Sequence, residues 1–103
     1  MTINNLKSRI QNRDACIAVI GLGYVGLPLV IRFSEEGFRV IGFDIDEEKV
    51  EKLNKGKSYL KHIPSSSIDV AVNNGFSATS DWERISDCDA ILICVPTPLG
   101  SHK

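Results

Sequence analysis

The chain has 103 residues, of which 43% are hydrophobic and 24% charged, a composition typical of one small globular domain. Its formal net charge of −1 gives no electrostatic reason to expect a nucleic acid or an anionic membrane as partner. No apolar run approaches the roughly 20 residues that span a bilayer. Residues 1–14 lack the apolar core of a signal peptide, so we expect a cytoplasmic location.

The chain contains three cysteines, Cys16, Cys88 and Cys94, without a Cys-x-x-Cys spacing. An odd number without that spacing disfavours both a disulfide framework and a zinc site. Cys16 and Cys94 fall in apolar runs that we predict as buried strands, where cysteine behaves as a small hydrophobic residue. We therefore expect no metal site and no catalytic cysteine in this chain.

The first half of the chain alternates apolar runs with helical patterns. We predict a lead-in at 1–14, a strand at 15–20, a helix at about 24–36, a strand at 39–43 and a helix from 46 or 47 to 54. Leu6 and Ile10 would share one face of a short helix in the lead-in. Gly37 and Gly56 are suitable helix ends, and Asp46 would cap the second long helix. The strand at 39–43 is apolar on both faces, which is typical of a parallel strand covered on both sides.

The second half continues the alternation. We predict a helix at 65–73 with a serine cap, a short strand at 76–79, a small helix from 80 or 81 to 85, and a strand at 90–95. Trp82 and Ile85 would pack against the sheet. This alternation implies right-handed crossovers and a parallel sheet with helices on both faces, an α/β fold, with the strand order 3-2-1-4 of doubly wound folds.

The most informative segment is Gly21-Leu22-Gly23-Tyr24-Val25-Gly26. It lies between the first predicted strand and the helix that follows, and Asp44 ends the second strand. Gly-x-Gly-x-x-Gly in this setting, with an acid about 20 residues on, is the fingerprint of Rossmann-type dinucleotide-binding domains. A structural glycine-rich turn with a solvated loop acid is the alternative interpretation.

Each residue of the fingerprint has a physical task. Gly21 would let the chain turn tightly, Gly23 would let the backbone approach a pyrophosphate, and Gly26 would let the helix pack closely. The amino end of that helix would face the phosphates. Asp44 would accept hydrogen bonds from the adenosine ribose and repel a 2′-phosphate, which predicts NAD rather than NADP as the cofactor.

The chain resembles the UDP-glucose/GDP-mannose (nucleotide-sugar) 6-dehydrogenase family over residues 15–99. The resemblance is carried by Gly-Tyr-Val-Gly-Leu-Pro at 23–28 and Val-Pro-Thr-Pro at 95–98, with further matches at 42–46, 49–50 and 53–56. Family members oxidise the C6 alcohol of a UDP-linked sugar to a carboxylate and use NAD. The resemblance therefore implies that residues 15–103 form a Rossmann-type NAD-binding domain.

Carried over by position, the resemblance implies that Asp44 holds the adenosine ribose and that Lys49 lies at the adenosine end. Val95, Thr97 and Pro98 would border the cofactor after the last strand. The candidate cofactor-binding residues are Gly21, Leu22, Gly23, Tyr24, Val25, Gly26, Asp44, Lys49, Val95, Thr97 and Pro98.

Alternatives remain for several of these residues. Lys49 is equally well explained as a helix-surface lysine, and Thr97 between two prolines as part of a rigid turn. Tyr24 would either contact the cofactor phosphates or only pack at the helix start. His62 is better explained as an exposed loop residue than as a catalytic base.

One loop points to a branch of the family. UDP-glucose enzymes typically carry Glu-Pro-Gly-Leu after the second helix, whereas this chain has Tyr-Leu-Lys-His-Ile-Pro-Ser at 59–65. The loop resembles that of the UDP-N-acetylglucosamine/N-acetylmannosamine branch, which makes uronic acids for bacterial surface polysaccharides. A UDP-glucose 6-dehydrogenase is the alternative.

The family's catalytic cysteine, lysine and asparagine lie downstream of every motif found here, as does its UDP-sugar pocket. The resemblance thus implies an N-terminal part of a longer dehydrogenase, with a partial cofactor domain that is inactive alone and meets the UDP-sugar only in the complete enzyme. An exposed last strand would favour self-association into a homo-oligomer. A non-catalytic nucleotide-binding half-domain remains an alternative, and the 23–28 and 95–98 motifs argue against a hydroxyacyl-CoA or 6-phosphogluconate dehydrogenase.

Overall fold

The computed structural model describes residues 3–11 and 14–94, which alternate strands and helices as predicted. The elements are α1 (Ile3–Gln11), β1 (Cys16–Ile20), α2 (Gly26–Glu35), β2 (Arg39–Phe43), α3 (Glu47–Asn54), α4 (Ser65–Asn73), β3 (Ser77–Thr79), a 3₁₀-helix (Trp82–Asp87) and β4 (Ala90–Ile93). Within these ranges, no helix has the length and apolar character needed to cross a membrane.

The four strands form one parallel sheet in the order β3-β2-β1-β4, which confirms the predicted order. Cys16 lies opposite Arg39 where β1 pairs with β2, and Ile17 lies opposite Ala90 where β1 pairs with β4. Because all strands are parallel, their carboxyl ends meet at one edge of the sheet. That edge carries the glycine-rich turn and the residues that follow β2 and β4.

Both faces of the sheet are packed, but unequally. The larger core fills the space between the sheet and helices α2, α3 and α4, and its fully buried members include Leu27, Leu53 and Ile68. The opposite face carries a smaller cluster of buried residues, and Ile85 packs against this cluster, as predicted. Trp82 also packs there, since its ring stacks on Phe43 with ring centroids 5.5 Å apart.

Local signals in the sequence account for most helix ends. Gly37 (φ 91°) and Gly56 (φ 75°) follow α2 and α3 in the left-handed conformation that glycine adopts without strain. The Asp46 carboxylate accepts hydrogen bonds from the backbone N–H groups of Glu48 and Lys49 and so caps α3. These ends confirm the predicted stops and the predicted aspartate cap.

The predicted serine cap of α4 is wrong. Pro64 occupies the cap position and, being proline, has no side chain able to cap. The hydroxyl of Ser65 instead accepts a hydrogen bond from the backbone N–H of Ser58. The Ser65 hydroxyl therefore bonds the preceding loop instead of capping the helix, the role that the sequence pattern assigned to a serine.

Several predicted element ends shift by one or two residues, and two of the shifts bear on the cleft. Helix α2 begins at Gly26 rather than at Tyr24, because Tyr24 and Val25 form a turn that the Leu27 N–H closes on the Gly23 carbonyl. Strand β4 ends at Ile93. Cys94 is therefore a half-buried residue after the strand rather than a buried residue within it, and residue 95 lies outside the described ranges.

Asn54 fastens the short edge strand β3 to the end of α3. Its side-chain amide donates to the Ala78 carbonyl at 2.8 Å, and its side-chain oxygen accepts from the Ala78 N–H, also at 2.8 Å. Ala78 is buried, so its peptide groups have little access to water. The Asn54 side chain thus provides the pairing that another strand would give this edge.

Asn54→Ala is expected to lower the free energy of unfolding by about 2 kcal/mol, because it removes both hydrogen bonds and leaves buried backbone groups unpaired. Urea denaturation of the chain measures this change. Asn73→Ala, which removes an exposed asparagine at the end of α4, is the matched control and should change the free energy by less than about 0.5 kcal/mol. Equal effects of the two substitutions would contradict the role given to Asn54.

Candidate cofactor site

An open cleft of about 1170 Å³ lies at the carboxyl edge of the sheet, where the strand order reverses between β1 and β4. This is where ligands bind in open parallel α/β sheets. The structure brings most of the candidate residues together around this cleft. Those that line it are Gly21, Leu22, Gly23, Tyr24, Val25, Asp44 and Lys49.

The first two glycines of the turn play different parts. Gly21 has a φ of 95° and donates its N–H to the Phe43 carbonyl at 2.8 Å, so it makes the tight turn out of β1. At Gly23, a Cβ atom would meet no atom of the described chain within 4 Å. The backbone at Gly23 is therefore open to the cleft, as a close approach of pyrophosphate requires.

Gly26 serves packing rather than the cleft wall. It is buried and is not among the residues that line the cleft. A Cβ atom on Gly26 would lie 1.7 Å from the Gly21 carbonyl oxygen and 3.3 Å from Cγ1 of Val19. Only glycine lets the start of α2 lie this close to the turn, so the close packing predicted at this position is observed, chiefly against the turn itself.

Leu22 contributes its backbone to the cleft and its side chain to the core. The side chain is fully buried, and Gly42 in β2 leaves room for it, since a Cβ there would lie 2.8 Å from Cδ2 of Leu22. Its N–H donates to Oδ2 of Asp44 at 3.0 Å, and its carbonyl accepts from the Tyr59 hydroxyl. Any contact of this residue with a cofactor would be made by main-chain atoms.

Asp44 is held in place by backbone donors on both carboxylate oxygens. Oδ2 accepts from the Leu22 N–H, and Oδ1 accepts from the Asp46 N–H at 2.9 Å. Its own N–H donates to the Thr79 carbonyl at 3.2 Å. Because a carboxylate offers about four lone-pair sites, acceptor capacity remains for the two hydroxyls of a ribose.

The amino end of α2 is open to an anion. Its cap residue is Val25, whose side chain makes no capping hydrogen bond, and the first turn carries no acidic residue. Tyr24 and Val25 are 74% and 62% exposed, so they stand at the rim of the cleft. The Leu27 N–H bonds the Gly23 carbonyl and Pro28 has no N–H, so it is mainly the positive end of the helix dipole that favours phosphate at this place.

Tyr59 is a site residue that the sequence analysis missed. It lines the cleft, its hydroxyl donates to the Leu22 carbonyl, and the Lys49 ammonium lies 5.5 Å from the centre of its ring. Burial, together with the negative charges of Asp44 and Asp46, raises the pKa of Tyr59 well above its ordinary value. The signal in the sequence was an aromatic residue in the loop that follows α3.

The same loop also contacts Tyr24. The rings of Tyr24 and His62 are stacked, with centroids 5.8 Å apart and planes within 6°. His62 is exposed, as expected for a loop residue. Tyr24 therefore packs on the loop while it lines the cleft, and its contact with the cofactor phosphates stays a prediction.

Three candidate residues are not placed by the structure, and Cys88, for which no catalytic role is expected, lies outside the site. Val95, Thr97 and Pro98 lie outside the described residues, and their roles stay predictions. Cys88 lies away from the cleft with its sulfur 3.7 Å from that of buried Cys16. Burial and the hydrogen bond with Cys16 raise the pKa of the Cys88 thiol to about 12, which makes it a poor nucleophile at neutral pH.

Comparison with known proteins agrees with this geometry. Residues 15–103 match the family model described as "UDP-glucose/GDP-mannose dehydrogenase family, NAD binding domain". The chain is 33% identical to the UDP-N-acetyl-D-glucosamine 6-dehydrogenase of Pseudomonas aeruginosa over 88% of its length and 21% of the relative's. It is 39% identical to the UDP-N-acetyl-D-mannosamine dehydrogenase of Pyrococcus horikoshii, over 82% of this chain and 21% of the relative.

Solved structures give the same result. A ternary complex of GDP-mannose dehydrogenase from Pseudomonas aeruginosa superposes with a TM-score of 0.76 and 31% identity, over 84% of this chain and 20% of that one. The chain thus spans about a fifth of the length of the relatives it matches. On these matches and on the cleft that its turn and Asp44 build, the chain belongs to the UDP-glucose/GDP-mannose dehydrogenase family, as its NAD-binding domain.

Proposed function

We propose that this chain is the cofactor-holding part of a UDP-N-acetylhexosamine 6-dehydrogenase, which oxidises the C6 alcohol of the sugar to a carboxylate. The observation that carries the cofactor half of this proposal is the cleft itself. It joins an open glycine backbone, an uncapped helix start and a fixed carboxylate at one edge of the sheet. When bound, NAD would supply the hydride acceptor for the reaction.

The residues present fit NAD. Gly23 and the start of α2 would hold the pyrophosphate, and Asp44 would hold the adenosine ribose. Lys49 lines the same cleft from α3, in keeping with a place at the adenosine end. Val95, Thr97 and Pro98 are proposed on the family resemblance alone to border the cofactor.

The proposal that the substrate is a UDP-N-acetylhexosamine is supported by one feature of the sequence and by the named relatives. The loop at 59–65 lacks the Glu-Pro-Gly-Leu of UDP-glucose enzymes. Relatives named for UDP-N-acetyl-D-glucosamine and UDP-N-acetyl-D-mannosamine match most of the chain. Groups for the sugar chemistry would come from other parts of a complete enzyme, and a role in surface polysaccharide synthesis follows from the same proposal.

The experiment that tests the branch is an assay of a complete dehydrogenase carrying this domain. NADH formation is followed with UDP-N-acetylglucosamine, UDP-N-acetylmannosamine, UDP-glucose and a 3-hydroxyacyl-CoA as alternative substrates. We expect turnover with a UDP-N-acetylhexosamine to exceed that with UDP-glucose. Preference for UDP-glucose would move the protein to the other branch of the family, and preference for the acyl-CoA would contradict the proposal altogether.

Self-association is part of the same proposal. Strand β4 is an edge of the sheet in the described part of the chain, and its Ile91 and Ile93 side chains are 49% and 71% exposed. Exposed apolar groups on an unpaired edge favour association between copies. Light scattering should find a homo-oligomer, and a uniform monomer would count against it. The cytoplasmic location stays a prediction.

A further inference from the structure

We propose that Tyr59 is a positioning residue of the cofactor site, which holds the glycine-rich turn in the shape that receives the pyrophosphate. The inference rests on the proposed placement of NAD in the cleft. It concerns the loop at 57–64 between α3 and α4, named here the cover loop. The cover loop contacts the turn at two points, through the Tyr59 hydroxyl on the Leu22 carbonyl and through His62 on the Tyr24 ring.

The hydrogen bond from the Tyr59 hydroxyl acts on the peptide group between Leu22 and Gly23. The Leu22 carbonyl and the Gly23 N–H belong to one planar trans peptide, so their directions are opposite and fixed together. Gly23 has no side chain to hold it, and its Cβ position is open. Asp44 fixes the N–H of Leu22, and Tyr59 fixes its carbonyl. Between them they set the direction of the Gly23 N–H.

The Tyr59 hydroxyl is suited to be a permanent donor. Burial and the charges of Asp44 and Asp46 raise the pKa of Tyr59, so its hydroxyl keeps its proton even at alkaline pH values where an ordinary tyrosine begins to ionise. The Lys49 ammonium over its ring adds an attractive contact on the face of the ring. Lys49 thereby has a role in this arrangement besides any contact with the cofactor.

The cover loop is itself anchored, which a positioning role requires. The Ser58 N–H donates to Oγ of Ser65 at the start of α4, and the Ser58 hydroxyl bonds Leu60. Ile63 is 7% exposed and belongs to the main core. Tyr59 thus projects from a fixed loop.

The test is Tyr59→Phe, which removes the hydroxyl and keeps the ring. Amide hydrogen exchange of the chain without ligand should rise roughly fivefold at Leu22 and Leu27, whose N–H groups bond Asp44 and the Gly23 carbonyl, while amides of β1 and β2 stay unchanged. Calorimetry should show the Kd for NAD raised by a similar factor. The matched control is Ser86→Ala, which removes a hydroxyl that donates to the Glu83 carbonyl at 3.1 Å and should change neither quantity.

The outcomes separate this inference from the proposed function. If the unchanged chain binds NAD and Tyr59→Phe binds it equally well, the positioning role is overturned while the cofactor site stands. Faster exchange throughout β1 and β2 would also overturn it, because Tyr59 would then support the fold in general. Failure of the folded, unchanged chain to bind NAD would overturn the placement of the cofactor and, with it, a role for Tyr59 in binding.

Discussion

Gly26→Ala is expected to lower the free energy of unfolding by about 3 kcal/mol or more, a large part of the stability of a domain this size. The added methyl carbon would lie 1.7 Å from the Gly21 carbonyl oxygen, which is far inside van der Waals contact. Backbone atoms cannot rotate away as a flexible side chain can. The start of α2 must therefore move off the turn, and the packing of Leu27 beneath it is lost.

Gly23→Ala is the matched control for that substitution. It adds the same methyl group to the same turn, but into open space and at a φ outside the left-handed region. Thermal unfolding should be nearly unchanged, whereas the Kd for NAD should rise by roughly tenfold or more, because the methyl group would stand where the pyrophosphate is proposed to approach. If Gly26→Ala were as stable as Gly23→Ala, the assignment of Gly26 to packing would be wrong.

Asp44→Ala is expected to raise the Kd for NAD by roughly 10- to 100-fold. Hydrogen bonds to a charged group contribute about 1.5–3 kcal/mol each, and the substitution removes those proposed to the ribose. It also releases the Leu22 N–H, which the carboxylate holds at 3.0 Å, so the turn loses one of its two tethers. Calorimetry of the purified chain measures the change.

Asp69→Ala controls for the loss of one negative charge, since Asp69 is an exposed carboxylate on α4 outside the cleft. Its Kd for NAD should equal that of the unchanged chain. Equal affinities for Asp44→Ala and Asp69→Ala would remove Asp44 from the site, whatever the family resemblance implies.

The sequence predicted the features that depend on local signals and on hydrophobic periodicity. The continuous apolar run at 39–43 is β2, Gly37 and Gly56 follow their helices, and the helix at 65–73 has the predicted bounds. The strand order followed from right-handed crossovers together with the strand order that dinucleotide-binding folds share. The fingerprint and Asp44 then located the cleft, because both come at carboxyl ends of strands.

What the sequence did not predict depends on contacts between distant segments. Tyr59 and Leu22 are 37 positions apart, and no periodicity places a loop side chain against a turn that far away. The hydroxyl of Ser65 was assigned to a helix cap because its pattern is local, but it bonds the cover loop instead. The fingerprint specifies only its glycines, so it did not predict that the side chain of Leu22, at its first variable position, is buried in the core.

The most direct test of the account is a calorimetric titration of the chain with NAD and, separately, with NADP. Circular dichroism first establishes that the chain is folded. If Asp44 receives the ribose and repels a 2′-phosphate, as proposed, NAD should bind saturably and NADP weaker by roughly tenfold or more. Binding of NADP as tightly as NAD, or no saturable binding of NAD by the folded chain, would contradict the claim that these residues build an NAD site.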